Sequence, residues 1–176
     1  ASTRIRSTRA WLERTRDLIS HLLAEDFIPV DSQSGFEKLH SILQPRLEEC
    51  WQMLQPIFRN EGEIRDKRSR YTFPQGILPP EVREAAGNLF SAFSQLAGLF
   101  ANIAEEIKIE LEEVNDLSRK ELAEQLYPVI GGAQRRAEAS ALFWLAYSQE
   151  DDCTKPPVAR WMTYQEDDTQ IEITLS

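Results

Sequence analysis

Cysteine, histidine and glycine are scarce in this sequence. Its 176 residues include two cysteines, two histidines and seven glycines. Cys50 and Cys153 lie far apart without a framework spacing, which favours free thiols in a reducing compartment. His40 and these two cysteines lack the spacing of a zinc site, and no glycine-rich phosphate loop follows a predicted strand. We therefore predict neither a secreted fold held by disulfide bonds nor a bound metal ion or cofactor.

Positive charge is also in deficit. Twenty Lys and Arg residues stand against 29 Asp and Glu residues, which gives a net charge of −9. This charge repels a phosphate backbone, so nucleic-acid binding is not expected without a locally basic face. A composition of 41% hydrophobic and 28% charged residues is ordinary for one globular domain spanning 1–176. No signal peptide precedes the first predicted helix, and we expect a cytoplasmic protein.

The longest run without a charged residue is 87–104. In a helix its polar and glycine residues fall on one narrow stripe, while apolar side chains cover the rest. The stripe consists of Asn88, Ser91, Gln95, Gly98 and Asn102. A membrane span is the competing interpretation of about 18 uncharged residues. Acidic residues follow at once and no flanking Trp or Lys belt is present, so we predict a central bundle helix and no membrane contact.

Apolar spacing and the positions of proline and glycine predict the other elements. A first amphipathic helix covers 3–25, a loop covers 29–35, and 36–59 forms two helices or one helix kinked at Pro45 and Pro56. A surface loop over 60–79 holds a short strand at 70–73. The central helix runs from about 80 to 114. A last helix begins with a capping box at Ser118 and Glu121, and Pro128 with Gly131 and Gly132 bends or breaks it.

The C-terminal segment changes to a strand pattern. Residues 161–164 and the alternating 170–175 predict a β-hairpin within 158–176. A two-stranded ribbon is marginal alone, so it must lie on the bundle, pair with 70–73, or join a partner's sheet. The expected fold is mainly α: a bundle of four to six helices around a long central antiparallel pair, with this hairpin appended.

One short string resembles a catalytic motif. Residues 16–21, RDLISH, are similar to the Arg, polar residue, three spacers, His pattern of the HEPN ribonucleases. The resemblance implies a helical bundle whose active site forms across a homodimer. Arg16 would then stabilise phosphate charge and His21 would act as general acid or base. The alternative is an exposed Arg and His on an ordinary amphipathic helix, where residues five apart point about 140° away from each other.

An acidic stretch covers 105–116, with six acidic residues and one lysine. Glu106, Glu110 and Glu113 share one helical face, which raises the question of a metal site. Dinuclear carboxylate sites also need histidines one turn from a glutamate, and this region has none. Two interpretations stay open: a solvated face, or packing against the arginine-rich first helix.

Basic residues mark the candidate surfaces for a partner. Cations near a helix N-terminus oppose its dipole, so the arginines that open the first helix favour an interaction with a partner or an acidic neighbour. The candidate partner-binding residues are Arg4, Arg6, Arg9, Arg65, Arg68, Arg70 and Tyr71. We predict a non-catalytic protein–protein interaction or regulatory module. Its partner is a protein, a second copy of the chain included, and the HEPN-like ribonuclease is the alternative function.

Overall fold

The computed structural model describes residues 2–61, 63–65, 68–113, 115–150, 154, 158–167 and 170–175. Within these residues the chain forms four α-helices, one short 3₁₀ helix (Pro74–Gly76) and one five-stranded sheet. The helices are α1 (Ile5–Ala24), α2 (Val30–Glu61), α3 (Pro80–Glu113) and α4 (Leu117–Ser148). The strands are β1 (Thr3–Arg4), β2 (Glu63–Arg65), β3 (Arg68–Thr72), β4 (Trp161–Asp167) and β5 (Gln170–Leu175). The predicted fold class, a mainly α bundle with a small C-terminal β part, is confirmed.

The four helices form two antiparallel hairpins. The polar side-chain contacts that join α1 to α2 run in opposite sequence directions: Arg9 with Glu48, His40 with Glu13, and Arg16 with Glu37. The α3–α4 hairpin is tied at one end by Arg119 and Glu110, 2.6 Å apart, and at the other by Arg83 and Glu150, 3.1 Å apart. This second hairpin is the predicted long central pair.

The helix α3 has the two faces that its sequence predicts. Ser91, Gln95, Gly98 and Asn102 of the polar stripe are exposed, and Phe93, Leu96, Phe100 and Ile103 on the other side are buried. The ring of Phe100 lies 6.4 Å from that of Trp11 and 6.3 Å from that of Phe36, so it joins α3 to α1 and α2. In the described part of the chain no helix combines the length and the apolar character needed to cross a membrane.

The sheet has the strand order β1-β5-β4-β3-β2, and every neighbouring pair is antiparallel. The predicted C-terminal hairpin is therefore present as β4 and β5. It pairs with β3, which contains most of the predicted strand at 70–73, so the segment between the helices completes the sheet. At the opposite edge β5 pairs with β1, where Thr3 faces Leu175. This pairing fixes the residues that lead into α1.

A buried arginine fastens the sheet to the bundle. Arg160 precedes β4 and donates hydrogen bonds to the carbonyl oxygens of Gly76, at 2.8 Å, and Ala146, at 3.3 Å. The amide of Phe73 donates to the carbonyl oxygen of Arg160 at 3.0 Å. The end of α4, the start of β4 and the turn after β3 are thereby held together.

The predictions of two separate helices over 36–59 and of a break in the last helix are wrong, and the alternatives of a kink in the one and a bend in the other stay predictions. Pro45 and Pro56 lie inside the single helix α2, and Pro128 lies inside α4, which also continues through Gly131 and Gly132. All three prolines are on exposed positions. A proline there removes one backbone hydrogen bond but leaves the freed carbonyl oxygen facing water. Packing along the buried face keeps both helices continuous.

Three further boundaries differ from the prediction. The helix α2 begins at Val30 instead of Phe36, with Asp31 in its first turn, where a carboxylate complements the helix dipole. Asp116, not Ser118, caps α4 and accepts a hydrogen bond from the Ser118 amide at 3.0 Å. Strands β2 and β3 occupy part of the predicted 60–79 loop because β3 finds a partner in β4.

Cys50 is a free thiol in the core. Burial raises its pKa to about 12, because the thiolate loses the solvation that water provides. Cys153 lies outside the described residues.

A positively charged groove between the first and last helices

A groove of about 540 Å³ opens where the start of α1 meets the middle of α4. We call it the α1–α4 groove. The β1–β5 pairing holds one wall, and the other wall is one face of α4. The lining residues are Ser2, Thr3, Arg4, Ser7, Thr8, Arg136, Ala139, Ser140 and Phe143. The groove thus combines backbone at a helix start with hydroxyl, guanidinium and aromatic side chains.

The charge of the described lining is positive. Its described residues include two arginines, Arg4 and Arg136, and no carboxylate. The start of α1 adds a positive partial charge because its first amides have no partner within the helix. The residue before the helix, Arg4, makes no side-chain capping hydrogen bond, and the first turn has no acidic residue. In a chain of net charge −9, the described part of the groove is a local concentration of positive charge.

Arg136 is held in place without an acidic partner among the described residues. Its guanidinium lies over the ring of Trp11, 4.8 Å from the centroid, and one nitrogen is 3.5 Å from the Ser7 carbonyl oxygen. Burial lowers the pKa of Arg136 below its ordinary value, and the nearby charge of Arg14 acts in the same direction. An anion bound at this point would relieve the repulsion between the two guanidinium groups.

Ser140 brings a hydroxyl to the same groove. The residue lies on α4, is 9% exposed and belongs to the groove lining. Its oxygen is not among the described buried side-chain atoms that lack a hydrogen-bond partner. Thr8, also in the lining, has a hydroxyl that donates to the carbonyl oxygen of Arg4 at 2.8 Å. Ser140 and Thr8 thus add two hydroxyl groups to the groove.

Other arginines of the bundle have carboxylate partners inside the chain. Arg9 donates to Glu48 and, at 2.9 Å, to the amide oxygen of Gln44. Arg119 donates to Glu110 at 2.6 Å and to the carbonyl oxygen of Asp26 at 2.9 Å. Arg4, Arg14 and Arg136 have no such carboxylate among the described residues. Of these three, Arg4 and Arg136 line the groove.

The predicted partner-binding arginines of α1 separate in space. Arg4 lines the groove and is exposed. Arg6 lies over the ring of Trp51, 4.6 Å from its centroid, and Arg9 is engaged by Glu48 as described above. Arg4 is therefore the member of this set whose position matches the groove, and partner binding by Arg6 and Arg9 stays a prediction.

The second predicted basic set lies on the sheet. Arg70 is exposed on β3 and lies over the ring of Trp161, 4.7 Å from its centroid, and Tyr71 packs edge-on against Phe73 at 5.3 Å. The side chains of Arg65 and Arg68 lie outside the described part of the chain. A partner-binding role for these four residues stays a prediction.

The HEPN-like pair is not brought together by any described contact. Arg16 donates to Glu37 at 2.9 Å, and this hydrogen bond, followed by the charge of the same carboxylate, raises the pKa of Arg16. His21 is exposed in the last turn of α1. The ribonuclease interpretation stays a prediction, since a second copy of the chain would have to complete the site.

One carboxylate of the acidic stretch, that of Glu110, stabilises the α3–α4 hairpin. The carboxylate of Glu110 binds Arg119, and the hydrogen bond lowers the pKa of Glu110. Burial raises the pKa of Glu106, one of whose oxygens has no partner among the described residues. The described ion pairs of this stretch are to Arg119 and, at 3.9 Å, to Lys108, and not to the arginines of α1. The described residues contain no group of side chains suited to a metal ion.

The sequence analysis missed the α4 wall of the groove. Arg136, Ser140 and Phe143 have ordinary helical spacing, and nothing local marks them. One signal was present: Arg135 and Arg136 are adjacent cations in a helix with few acidic neighbours. The comparisons with known proteins add no further guide, because no protein-family model and none of the curated proteins matches the chain.

Proposed function

We propose that this chain is a non-catalytic protein–protein interaction module whose α1–α4 groove binds an acidic segment of a partner protein. One observation carries the proposal: Arg4 and Arg136 line the groove, Arg14 lies near enough to lower the pKa of Arg136, and none of the three has a carboxylate partner among the described residues. A partner's acidic side chains would supply the missing negative charge.

Electrostatics supports a protein partner over a nucleic acid. The net charge of −9 repels a polyanion at long range, whereas a short acidic segment meets mainly the local field of the groove. Matching a positive site to a negative segment raises the association rate and excludes partners with the wrong charge.

The chemistry of the lining supports binding over catalysis. Hydroxyl and guanidinium groups line the groove, but the lining residues that the structure describes include no imidazole and no carboxylate that would activate a hydroxyl as nucleophile. Guanidinium groups bind carboxylate and phosphate oxygens with paired hydrogen bonds. The groove is therefore equipped to hold an anion.

Charge reversal at the groove tests this function. We expect the double variant R14E/R136E to lose the proteins that the wild-type chain captures from lysate of its source organism, by tenfold or more in recovered amount. The variant places one carboxylate in the groove lining and a second one near it, and like charges oppose the association of an acidic segment. Quantitative affinity purification measures the loss. Reversal of Arg9 is less informative because it would set a carboxylate beside Glu48 within the bundle.

The matched control is R46E/R135E, which changes the net charge equally at two arginines that neither line the groove nor act on the pKa of Arg136. It should keep the captured partners. Equal loss in both double variants would mean that net charge alone governs capture, and undiminished capture by R14E/R136E would rule out the groove. RNA recovered with the wild-type chain, and degraded unless His21 is replaced by alanine, would favour the ribonuclease instead.

A further inference from the structure

We propose that the anion bound in the α1–α4 groove is a phosphate group, carried on a phosphorylated side chain of the partner. This inference rests on the proposed function, and it names the chemical class of the ligand. It makes the chain a reader of phosphorylation, whose binding would be switched by modification of the partner.

The amount of positive charge favours phosphate over carboxylate. Arg4 and Arg136 line the groove, Arg14 acts on Arg136 from nearby, and the start of α1 adds its partial charge. A carboxylate brings one negative charge, whereas a phosphorylated side chain brings about −1.5 to −2 at neutral pH. A phosphate group therefore neutralises more of the positive charge at the groove than a carboxylate does.

The donors around the groove also suit phosphate. A phosphate group has three free oxygens, each of which accepts hydrogen bonds. Arg136 offers a planar fork, Ser140 offers a hydroxyl in the groove lining, and the start of α1 is a recognised setting for anions. Arg136 and Ser140 both belong to α4, so these two donors are independent of the helix end.

The size of the groove favours a phosphate attached to a larger group. Its volume of about 540 Å³ falls in the range of sites for small organic ligands or short segments and exceeds what one phosphate fills. Phe143 and Ala139 supply an apolar part of the wall against which the chain that carries the phosphate can pack. A side chain and its flanking backbone fit this combination.

Titration of the full chain, followed by NMR of amide and arginine side-chain signals, tests the inference. The probes are a capped tripeptide with a central phosphoserine, the same tripeptide with glutamate, and inorganic phosphate, at ionic strength matched with chloride. We expect saturable shifts at Arg136, Ser140 and the start of α1. The phosphoserine tripeptide should bind at least tenfold more tightly than the glutamate tripeptide, and more tightly than inorganic phosphate.

Three variants assign the binding to the groove. R136Q should weaken binding of the phosphoserine tripeptide tenfold or more, and S140A should weaken it several-fold, as expected for loss of a charged and a neutral donor. R135Q, which changes an exposed arginine outside the lining, should bind like the wild type. Alanine is a strong helix former, so we expect S140A to fold. This variant therefore tests the groove even if R136Q disturbs the contact between Arg136 and Trp11.

The outcomes separate this inference from the proposed function. Equal affinity for the phosphoserine and glutamate tripeptides, or unsaturable shifts with both, would overturn phosphate recognition while leaving an acidic partner in place. Inorganic phosphate binding as tightly as the tripeptide would show a free-phosphate site and overturn the phosphorylated side chain. Phosphoserine binding without any partner lost from R14E/R136E would instead count against the proposed function.

Discussion

Replacing Phe100 with alanine should lower the free energy of unfolding by about 3–5 kcal/mol, the usual cost of removing a buried aromatic side chain. Phe100 is fully buried, and its ring contacts Trp11 of α1 and Phe36 of α2. The truncation therefore leaves a cavity where three helices meet. A typical domain is stable by about 5–15 kcal/mol, so the loss is a large share of the total.

Denaturant titration measures this loss as a lower midpoint with an unchanged slope. The control is Leu142→Ala, which truncates an apolar side chain that is 67% exposed on α4, and its effect should stay within about 0.5 kcal/mol. If F100A lost less than about 1 kcal/mol, the three helices would not meet at this ring.

Gly76→Ala should destabilise the protein by at least about 2 kcal/mol, because both the backbone conformation and a neighbouring atom exclude a side chain at this position. The backbone of Gly76 has a φ of +73°, in the left-handed region that favours glycine. A Cβ atom would also lie 1.9 Å from the carbonyl oxygen of Val158. Relief of that clash would separate the turn after β3 from the segment before β4, where Arg160 holds them together.

The matched control for Gly76→Ala is Gly98→Ala, for which we expect a change in stability of the opposite sign. Gly98 is an exposed glycine inside α3, and a Cβ atom added to it would meet no neighbouring atom within 4 Å. Gly98→Ala should stabilise the chain by about 0.5–1 kcal/mol, since alanine is the better helix former. Thermal unfolding of both variants gives the comparison. A neutral Gly76→Ala would contradict the close approach of the turn to Val158.

The helical framework was predictable because its cause is periodic and local. The alternation of polar and apolar residues in 87–104 gives the exposed stripe and buried face of α3, and period-two alternation at 170–175 gives β5. The prediction of helix breaks at the prolines was wrong because a break depends on which face of the helix the proline occupies. Pro45, Pro56 and Pro128 are exposed, and the buried faces opposite them keep α2 and α4 continuous.

The candidate site was less predictable because it joins residues far apart in the chain. Arg4 was singled out in the sequence, but its neighbour in the groove, Arg136, comes from α4. The pairing of Arg9 with Glu48 likewise depends on how α1 lies against α2. A count of charges along the chain does not show which arginines have a carboxylate partner inside the bundle and which do not.

Photo-crosslinking from inside the groove tests the central claim, that the α1–α4 groove is where a partner binds. A photoreactive residue at Ala139, exposed in the groove lining, would be compared with one at Glu124, exposed on α4 outside it. We predict that Ala139 gives a discrete crosslinked partner that R14E/R136E abolishes, and that Glu124 does not. Equal crosslinking from both positions, or crosslinks at Ala139 that survive the charge reversal, would contradict the claim.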